Sequence, residues 1–390
     1  MSRVVFLTDV PPAPTGSGGG VAVYGLISAL ARAGFKVDCV VPRASPHGAC
    51  NTEEFSTHVL ADQAAGSEVI QDLLKKKLDQ CSPELVWTFH TSCWALFAPM
   101  RSRFPHVLYS MDPSWEVEEL RRRWRRLRRG LRRMKDVWGH ASLVWSLKRQ
   151  ERLALRQANE RGVAASYGSH EAREIAQRVG TVVRECTLCY PDWGVVERRI
   201  DSMKPQALLL GHLEGAHTRY GLRFFFDEVL PLWQGPEGPR SMVRIVGNGR
   251  LPETFNRPPE MACVRWVGFV PDLQEEWSSA TALLVPVPLR QGIRSRIVES
   301  WCRGVPVISH PSAAVGLPMM RAGENYLAAE SGREWIEAMR KLENDAVLGE
   351  RLAAAGRAAY ETEFSPQASA KRVESLARFA IEKFSRSLLI

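Results

Sequence analysis

Residues 285–309 read Val285-Pro-Val-Pro-Leu-Arg-Gln-Gly-Ile-Arg-Ser-Arg-Ile-Val-Glu-Ser-Trp-Cys-Arg-Gly-Val-Pro-Val-Ile-Ser309, and they decide the predicted fold. The apolar run Leu283–Val287 is typical of a buried parallel strand, and the prolines and Gly292 after it favour a turn. Ser295 is predicted to cap a short helix, which Gly304 ends in a left-handed conformation before the next strand begins. The stretch therefore predicts a strand–loop–helix–strand unit of an α/β protein.

The start of this helix carries side chains suited to a nucleotide. Arg294 and Arg296 lie in the first turn, where outward N–H groups and two guanidinium groups would attract a phosphate or diphosphate. Glu299 follows one turn later, and its carboxylate can accept hydrogen bonds from vicinal hydroxyls such as those of a ribose. A solvated arginine-rich loop, with Glu299 paired to Arg296, explains the same residues, so both interpretations stay open at this point.

This run resembles the donor-binding segment of GT-B glycosyltransferases of family GT4. The resemblance rests on Pro288-Leu289, on Gln291-Gly292-Ile293-Arg294-Ser295-Arg296, on Glu299 and on Gly304-Val305-Pro306-Val307. It implies that the donor's ribose binds Glu299 and that its diphosphate binds Gly292, Ile293, Arg294 and Arg296, with Arg296 in the place of a lysine. Gln291 departs from the family, because many members carry a first glutamate there.

The composition is that of a globular protein large enough for two domains. The chain has 390 residues and no apolar run of about eighteen residues that would span a membrane. Its start turns polar too early for a signal peptide, and eight scattered cysteines favour a reducing compartment. The net charge of +9 favours anionic partners. We therefore expect a cytoplasmic protein, with peripheral contact at the inner face of the membrane as an open alternative.

The N-terminal residues predict a second parallel-sheet unit of the same α/β type. A strand from Arg3 to Asp9, a glycine-rich loop Val10–Gly20, a helix Val21–Ala33 and a further strand form a β–loop–α–β unit, which requires a parallel sheet. Gly19 and Gly20 would let backbone N–H groups approach a ligand closely, although a plain surface loop fits them too. A Gly-Gly loop here is also a GT4 feature, and it implies that both glycines lie near the donor's phosphates and the acceptor.

Two candidate catalytic residues follow neighbouring strands. A strand Glu84–Thr88 leads to His90, at the strand end where ligands bind in doubly wound sheets. His90 either contacts the acceptor or the transferred sugar, or it has a structural role. The strand Val107–Ser110 leads to Met111-Asp112, where relatives carry His-Asp, so the resemblance implies a role for Asp112 alone.

A strongly basic segment, predicted as an amphipathic helix at about residues 116–138, is the least ordinary part of the chain. Apolar residues recur at spacings of three and four among the basic residues of Arg121–Lys135. The helix either packs on the N-terminal domain with its arginines in solvent, lies on an anionic membrane surface, or binds nucleic acid, which is the least favoured of the three.

The second half of the chain offers the remaining donor-binding candidates. A loop His212–Gly221 contains Arg219, and a helix is predicted from Leu222 to Trp233. The resemblance implies that Arg219 binds the diphosphate together with Arg296, although an exposed loop arginine fits as well. It also implies that the backbone of Gly268, Phe269 and Val270 binds the base.

The whole pattern predicts an α/β protein of the GT-B fold, with two Rossmann-like doubly wound domains facing across a cleft. Residues 1–203 would form the acceptor domain, residues 204–365 the donor domain, and residues 366–390 a helix that crosses back to the first domain.

The function that the resemblance implies is a retaining, metal-independent glycosyltransferase. It would move a sugar from a UDP or GDP sugar to a hydroxyl of a glycan, lipid-linked or small-molecule acceptor in polysaccharide or glycoconjugate biosynthesis, without a cofactor. One alternative is a nucleotide-sugar epimerase or a phosphorylase of the same fold. The other is a non-catalytic membrane- or nucleic-acid-binding protein that uses the basic helix.

Overall fold

A computed structural model describes residues 2–16, 18–44, 52–110, 134–249, 262–290 and 292–389. The chain divides into two compact units. The first comprises Met1–Pro191 and Glu363–Ile390, and the second comprises Asp192–Thr362. The boundaries that the sequence suggests, after residues 203 and 365, lie a short way beyond these points.

The first unit is built on a seven-stranded parallel sheet with the order β3-β2-β1-β4-β5-β6-β7. The order reverses between β1 and β4, and in such sheets ligands bind beyond the carboxyl ends of the strands at that reversal. The strands are β1 (Arg3–Thr8), β2 (Lys36–Arg43), β3 (Phe55–Ala61), β4 (Leu85–Phe89), β5 (His106–Tyr109), β6 (Val163–Ser166) and β7 (Arg184–Glu185).

Aromatic rings fill the centre of this sheet. Phe6, Trp87 and Tyr109 occupy the adjacent strands β1, β4 and β5, are fully buried, and stack in sequence with ring centroids 6.2 Å apart at each step. Such large buried rings supply much of the apolar burial that holds a sheet together. The helices of this unit are α1 (Gly18–Arg32), α2 (Ser67–Cys81), α3 (His90–Phe97), α4 (Met134–Arg161), α5 (Ser169–Val179) and a C-terminal helix (Pro366–Ser387).

The C-terminal helix is tied to the first unit by a lysine. Lys383 Nζ donates hydrogen bonds to the carbonyl oxygens of Asn159 and Gly162, at 2.6 and 2.9 Å. Both carbonyls belong to the end of α4, where unpaired C=O groups and the helix dipole favour a cation.

The second unit is built on a six-stranded parallel sheet with the order β10-β9-β8-β11-β12-β13. The strand order reverses between β8 and β11. The strands are β8 (Gln206–Leu210), β9 (Met242–Val246), β10 (Val264–Gly268), β11 (Ala280–Val285), β12 (Val307–Ser309) and β13 (Leu327–Ala328). The helices are α6 (Ala216–Phe224), which continues through a π turn (Phe225–Val229) into α7 (Leu230–Trp233), then α8 (Gln274–Ser279), α9 (Ser295–Cys302), α10 (Gly332–Asn344) and α11 (Ala346–Glu363). The predicted α/β class with two Rossmann-like sheets is confirmed.

The predicted strand–loop–helix–strand unit is present as β11, α9 and β12, with one error at its start. Ser295 is the first residue of α9, and Arg294 occupies the N-cap position without a capping side chain. The prediction that Ser295 caps the helix is therefore wrong, because Ser295 already lies within the helix. Gly304 follows α9 with φ +69°, which confirms the predicted left-handed ending.

Two other predicted boundaries are wrong. Helix α1 begins at Gly18, so Gly19 and Gly20 lie in its first turn rather than in the preceding loop. Helix α6 begins at Ala216, so Arg219 lies on a helix rather than in a loop.

Asp112 and most of the predicted basic helix lie outside the described residues. In the described ranges, no helix is both long enough and apolar enough to cross a membrane.

Candidate functional site

The candidate site of the second unit lies where β8 and β11 end side by side, at the reversal of strand order. The loop after β8 leads into α6, and the loop after β11 leads into α9. Both helices therefore begin at the same edge of the sheet. Unpaired N–H groups at two helix starts make this edge favourable for an anion.

Arg296 joins the three elements that meet there. Its Nη1 donates a hydrogen bond to the carbonyl oxygen of Leu210 at the end of β8, and its Nη2 donates to Thr218 Oγ1 on α6 at 3.3 Å. Burial lowers the pKa of Arg296 to about 10, so the guanidinium is still a cation at neutral pH. In the described part of the chain no carboxylate forms an ion pair with Arg296. Its charge is therefore available to an anionic ligand.

Gly211 makes room for this arrangement. A Cβ at Gly211 would lie 2.7 Å from Arg296 Nη1 and 2.7 Å from Thr218 Oγ1, closer than such atoms pack. Sequence reasoning did not assign Gly211 to the site. The available signal was a glycine directly after a buried strand, where the backbone and a ligand approach closely.

Arg294 has a different position from the one expected. Its side chain is buried, with Nη2 donating to the carbonyl oxygen of Leu289 at 2.6 Å and Nη1 donating to that of Gly292 at 3.2 Å. Gly292 has φ +77°, which favours glycine, and Ile293 beside it is half-buried. Arg294 thus holds its own loop in shape. The sequence suggested instead that its side chain points outward from the helix start, and it does not.

Glu299 lies one turn further along α9 and pairs with Arg303. Nε of Arg303 donates to Glu299 Oε1 at 3.1 Å, and the Glu299 side chain remains 22% exposed. Burial raises the pKa of Glu299, and the charge and hydrogen bond of Arg303 are the two largest influences that oppose the rise, with that of Arg296 smaller. The ion pair between Glu299 and Arg296, which the sequence left open, is therefore not the one that forms.

The other predicted donor-binding residues lie on neighbouring elements of the same sheet. Arg219 is half-buried on α6, one residue after Thr218. Gly268 ends β10 with φ +82°, and Phe269 after it is 68% exposed, with Val270 half-buried. Because β10 is three strands away from β11, Gly268 lies roughly 14 Å across the sheet from the start of the α9 loop.

The first unit has a polar cluster at its own strand reversal. Asp9 follows β1, and His90 follows the adjacent strand β4 as the first residue of α3. His90 Nδ1 lies 3.3 Å from Asp9 Oδ1, and Ser92 Oγ donates to Asp9 Oδ2 at 2.6 Å. Burial raises the pKa of Asp9, but the hydrogen bonds from His90 and Ser92 and the charge of His90 outweigh it, so the pKa lies below its ordinary value.

This cluster orients the ring of His90. An ionised carboxylate can only accept hydrogen bonds, so Nδ1 carries the proton between the two residues, and Nε2 is an acceptor whenever the ring is neutral. His90 also has φ +69°, a left-handed conformation that is uncommon for residues other than glycine. Backbone strain of this kind is typical of functional sites.

Sequence reasoning found His90 but missed Asp9 and Ser92. The signal for Asp9 was a carboxylate immediately after a buried strand. Gly19 and Gly20 lie in the first turn of α1, as described above, where N–H groups have no partner within the helix. A Cβ at Gly19 would meet Val10 at an ordinary 3.4 Å, so space alone does not require that glycine.

Comparison with known proteins identifies a family within the second unit. Residues 204–345 match the family model described as Glycosyl transferases group 1. No curated protein matches the sequence.

Many solved structures resemble nearly the whole chain. Sucrose-phosphate synthase from Thermosynechococcus elongatus is 16% identical, with a TM-score of 0.73 over 98% of this chain and 100% of that one. Anabaena HepE in complex with UDP and glucose is 13% identical, with a TM-score of 0.63 over 99% and 100%. WaaG, a glycosyltransferase involved in lipopolysaccharide biosynthesis, is 15% identical, with a TM-score of 0.62 over 98% and 99%. Likeness at these identities shows the fold, and it confirms the predicted GT-B architecture.

Proposed function

We propose that this chain, a glycosyltransferase of the GT-B fold with a group 1 domain at residues 204–345, moves a sugar from a nucleoside diphosphate sugar to a hydroxyl acceptor with retention of configuration and without a metal ion. The observation that carries the proposal is the position of Arg296. Arg296 belongs to α9, and its guanidinium binds the end of β8 and the start of α6. Glu299 lies one turn further along α9.

The donor would lie along the start of α9. Arg296 and the N–H groups of the first turn would bind the diphosphate, with Gly292, Ile293 and Arg219 around it. Arg294 would act by holding the loop in shape. The carboxylate of Glu299 would accept hydrogen bonds from the ribose hydroxyls.

The base would lie further across the sheet, against the backbone of Gly268, Phe269 and Val270. The roughly 14 Å between these residues and α9 suits the length of a nucleoside diphosphate that runs across the strand ends. UDP is our first choice of nucleotide because the solved HepE structure, which has the same fold, contains UDP and glucose. GDP is the second.

The departing diphosphate would be stabilised without Mg²⁺. A fixed guanidinium and a helix N-terminus place positive charge where negative charge develops, which is the role that a metal ion has in other transferases. We propose that the leaving diphosphate accepts the proton of the acceptor hydroxyl, on the same face of the sugar, so that the configuration is retained. The role of Gly19 and Gly20 beside the donor's phosphates stays a prediction from the sequence.

The acceptor side would be formed by the first unit. His90, held by Asp9, presents Nε2 as an acceptor for a hydroxyl of the transferred sugar or of the acceptor. Asp112 and the contact of Arg121–Lys135 with an anionic membrane stay predictions from the sequence, since those residues lie outside the described part of the chain.

The test is thermal unfolding of the purified protein with UDP, GDP, ADP and dTDP, each with EDTA and with Mg²⁺. A ligand at one hundred times its dissociation constant adds about 2.7 kcal/mol to the free energy of unfolding. We expect one diphosphate to stabilise the wild type equally in EDTA and Mg²⁺.

Two variants complete this test. Glu299→Ala should lose most of the stabilisation, whereas Glu350→Ala, the same change at an exposed position of α11, should keep it. If no nucleotide stabilises the protein in either condition, the proposed donor site is wrong. If stabilisation needs Mg²⁺, only the metal independence is wrong.

A further inference from the structure

The Arg303–Glu299 pair lies at the proposed donor site, but the sequence assigned no role to Arg303. Glu299 is on the exposed side of α9 and remains partly accessible, whereas the Arg303 side chain is only 9% exposed. A ligand that reaches Glu299 would therefore meet the carboxylate first, with the guanidinium behind it.

Arg303 is fixed from elements other than α9. Its Nη1 donates to Gln274 Oε1 on α8 at 3.3 Å. The guanidinium also lies over two indole rings, those of Trp193 and Trp277, each with its centroid 5.8 Å away. Cation–π contacts and a second hydrogen bond restrict the arginine to one position, so its contact with Glu299 is pre-organised.

We infer that Arg303 is a positioning residue that holds the Glu299 carboxylate in place and ionised for the ribose hydroxyls of the donor. The inference rests on the proposed function, because it concerns the same carboxylate. Arg303 itself would not touch the nucleotide. Its effect on binding would be exerted through Oε1 of Glu299, the atom that it contacts at 3.1 Å.

Charge explains why a second cation is needed beside Glu299. Burial alone would favour the protonated acid, which accepts fewer hydrogen bonds than the carboxylate. Arg303, directly after α9, and Arg296, within it, oppose protonation, and Arg303 has the larger influence. When a diphosphate binds Arg296, the negative charge of the phosphates offsets the positive charge of Arg296 as felt by Glu299. Arg303 therefore remains the main counter-charge of Glu299.

In the described part of the second unit, the charged groups of two neighbouring segments are engaged by other partners. From α8, Gln274 and Trp277 face Arg303, and the acidic residue Glu276 of that helix is paired with Arg244. From the chain that enters the unit, Arg198 donates to the carbonyl oxygens of Gly304 and Ala280.

The experiment measures the dissociation constant of UDP, or of GDP if only GDP binds, by calorimetry from pH 5 to 8.5. Proteins are the wild type, Arg303→Met, Glu299→Gln and the double variant, with Arg340→Met, an exposed arginine of α10, as the matched control. The ligand's terminal phosphate also titrates near pH 6, so each profile is compared with that of Glu299→Gln, which keeps the titration of the ligand and lacks only that of Glu299.

We expect Arg303→Met to weaken binding about tenfold at pH 7, the size typical of a hydrogen bond to a charged group. Protonation of Glu299 weakens binding as the pH falls, and without Arg303 this weakening should begin at a higher pH. The double variant should bind no more weakly than Glu299→Gln. Arg303→Met should also lose the preference for UDP over 2′-deoxy-UDP, and Arg340→Met should match the wild type.

Arg303→Lys keeps the charge without the planar fork, and thermal unfolding shows whether each variant is folded. If Arg303→Met does not fold, we expect Arg303→Lys to show a smaller shift of the pH profile in the same direction. The inference is overturned if the two single changes weaken binding additively, or if the profile of a folded Arg303 variant matches the wild type while Glu299→Gln weakens binding. If the wild type binds neither UDP nor GDP, the proposed donor site fails first, and this inference fails with it.

Discussion

The carboxylate of Asp9 lies 3.3 Å from Nδ1 of His90, and the backbone of His90 is left-handed at that point. The two residues follow adjacent strands of the first sheet, β1 and β4, so the parallel register brings them together from 81 positions apart in the chain. A left-handed backbone at a histidine is energetically unfavourable, and residues in such conformations cluster at functional sites. We therefore predict that the pair belongs to a functional site of the first unit.

Asp9→Asn should lower sugar transfer and make the pH dependence of transfer different from that of the wild type. An amide can present its NH₂ to Nδ1, which allows the opposite tautomer and removes the acceptor at Nε2. The check is the rate of sugar transfer from pH 5.5 to 8.5. Ser92→Ala removes only the hydrogen bond from Ser92 to Asp9. It should also lower the transfer rate and change its pH dependence, but by less than Asp9→Asn does. A normal pH profile in Asp9→Asn would show that Asp9 does not control the His90 ring.

Asp9 should also contribute to stability in a defined pH window. Its folded-state pKa is below its ordinary value, so its contribution is complete above about pH 4 and is lost as the pH falls through the folded pKa. Asp9→Asn should reduce the free energy of unfolding by less than about 1 kcal/mol at pH 7, because the Asp9 side chain is 42% exposed and water screens its hydrogen bonds. Urea unfolding at pH 7 and pH 3 measures it. A deficit that is equal at both values would contradict the assignment.

Arg296→Met should abolish most of the nucleoside diphosphate affinity and also destabilise the second unit. The change removes the proposed phosphate cation and leaves the Leu210 carbonyl without its guanidinium donor. We expect about 1–3 kcal/mol of lost stability. Binding of UDP should weaken by about ten- to a hundredfold. Uridine, which lacks phosphates, is the control ligand, and its weak binding should change little. An equal loss for UDP and uridine would show a general collapse of the site.

Gly211→Ala should disturb the position of Arg296 without changing any charge. The new methyl group would lie 2.7 Å from Arg296 Nη1, so the guanidinium has to move. Overpacking of this kind costs about 1–3 kcal/mol, and UDP binding should weaken together with stability. Gly349→Ala is the matched control, because the nearest atom to a Cβ there is 3.9 Å away. If Gly211→Ala binds UDP normally, the close approach of Arg296 to the end of β8 is unnecessary for binding.

The clamp between Asp192 and Arg357 should stabilise the second unit. Nη2 and Nη1 of Arg357 donate to Asp192 Oδ2 and Oδ1 at 2.8 and 2.9 Å. The hydrogen bond from Arg357 is the main cause that lowers the pKa of Asp192 to about 2. The contribution to stability is thus complete above about pH 4 and is lost towards pH 2.

Asp192→Asn should reduce the free energy of unfolding by about 1 kcal/mol at pH 7, a modest figure because the side chain is nearly half exposed. Urea unfolding at pH 7 and at pH 2.5 gives the comparison. Asp227→Asn removes an exposed pair with Arg223 and should have almost no effect. Equal effects of the two changes would mean that the bidentate geometry at Asp192 adds nothing.

The sequence revealed those parts of the site that lie close together in the chain. The run from Leu283 to Gly304 predicted β11, the loop and α9 because its apolar spacing and its glycines are local signals. Arg296 and Glu299 were found in the same way. By contrast, Arg303 was visible four residues after Glu299, but the rings of Trp193 and Trp277 that fix it come from elsewhere in the chain.

Asp9 and strand β3 show the other limit of sequence reasoning. Asp9 was assigned to the end of a strand, and only the pairing of β1 with β4 reveals that it faces His90. Strand β3 (Phe55–Ala61) was not predicted, because an edge strand with one buried residue carries almost no apolar pattern. The start of helix α1 was predicted too late, because its first three residues are glycines. Glycine is a poor helix former, so these residues carry no helical signal.

The two indoles that flank Arg303 give the protein an optical reporter of its own. Indole emission responds to nearby charge, and Trp277 is fully buried beside the guanidinium of Arg303, which also donates a hydrogen bond to Glu299. A nucleotide that engages Glu299 changes the electric field at this ring, and the colour or intensity of the emitted light changes with it. Although the chain has 12 tryptophans, the difference spectrum between the wild type and Trp277→Phe isolates this one. Donor binding can thus be followed by the protein's own fluorescence, without a label and before any acceptor is known.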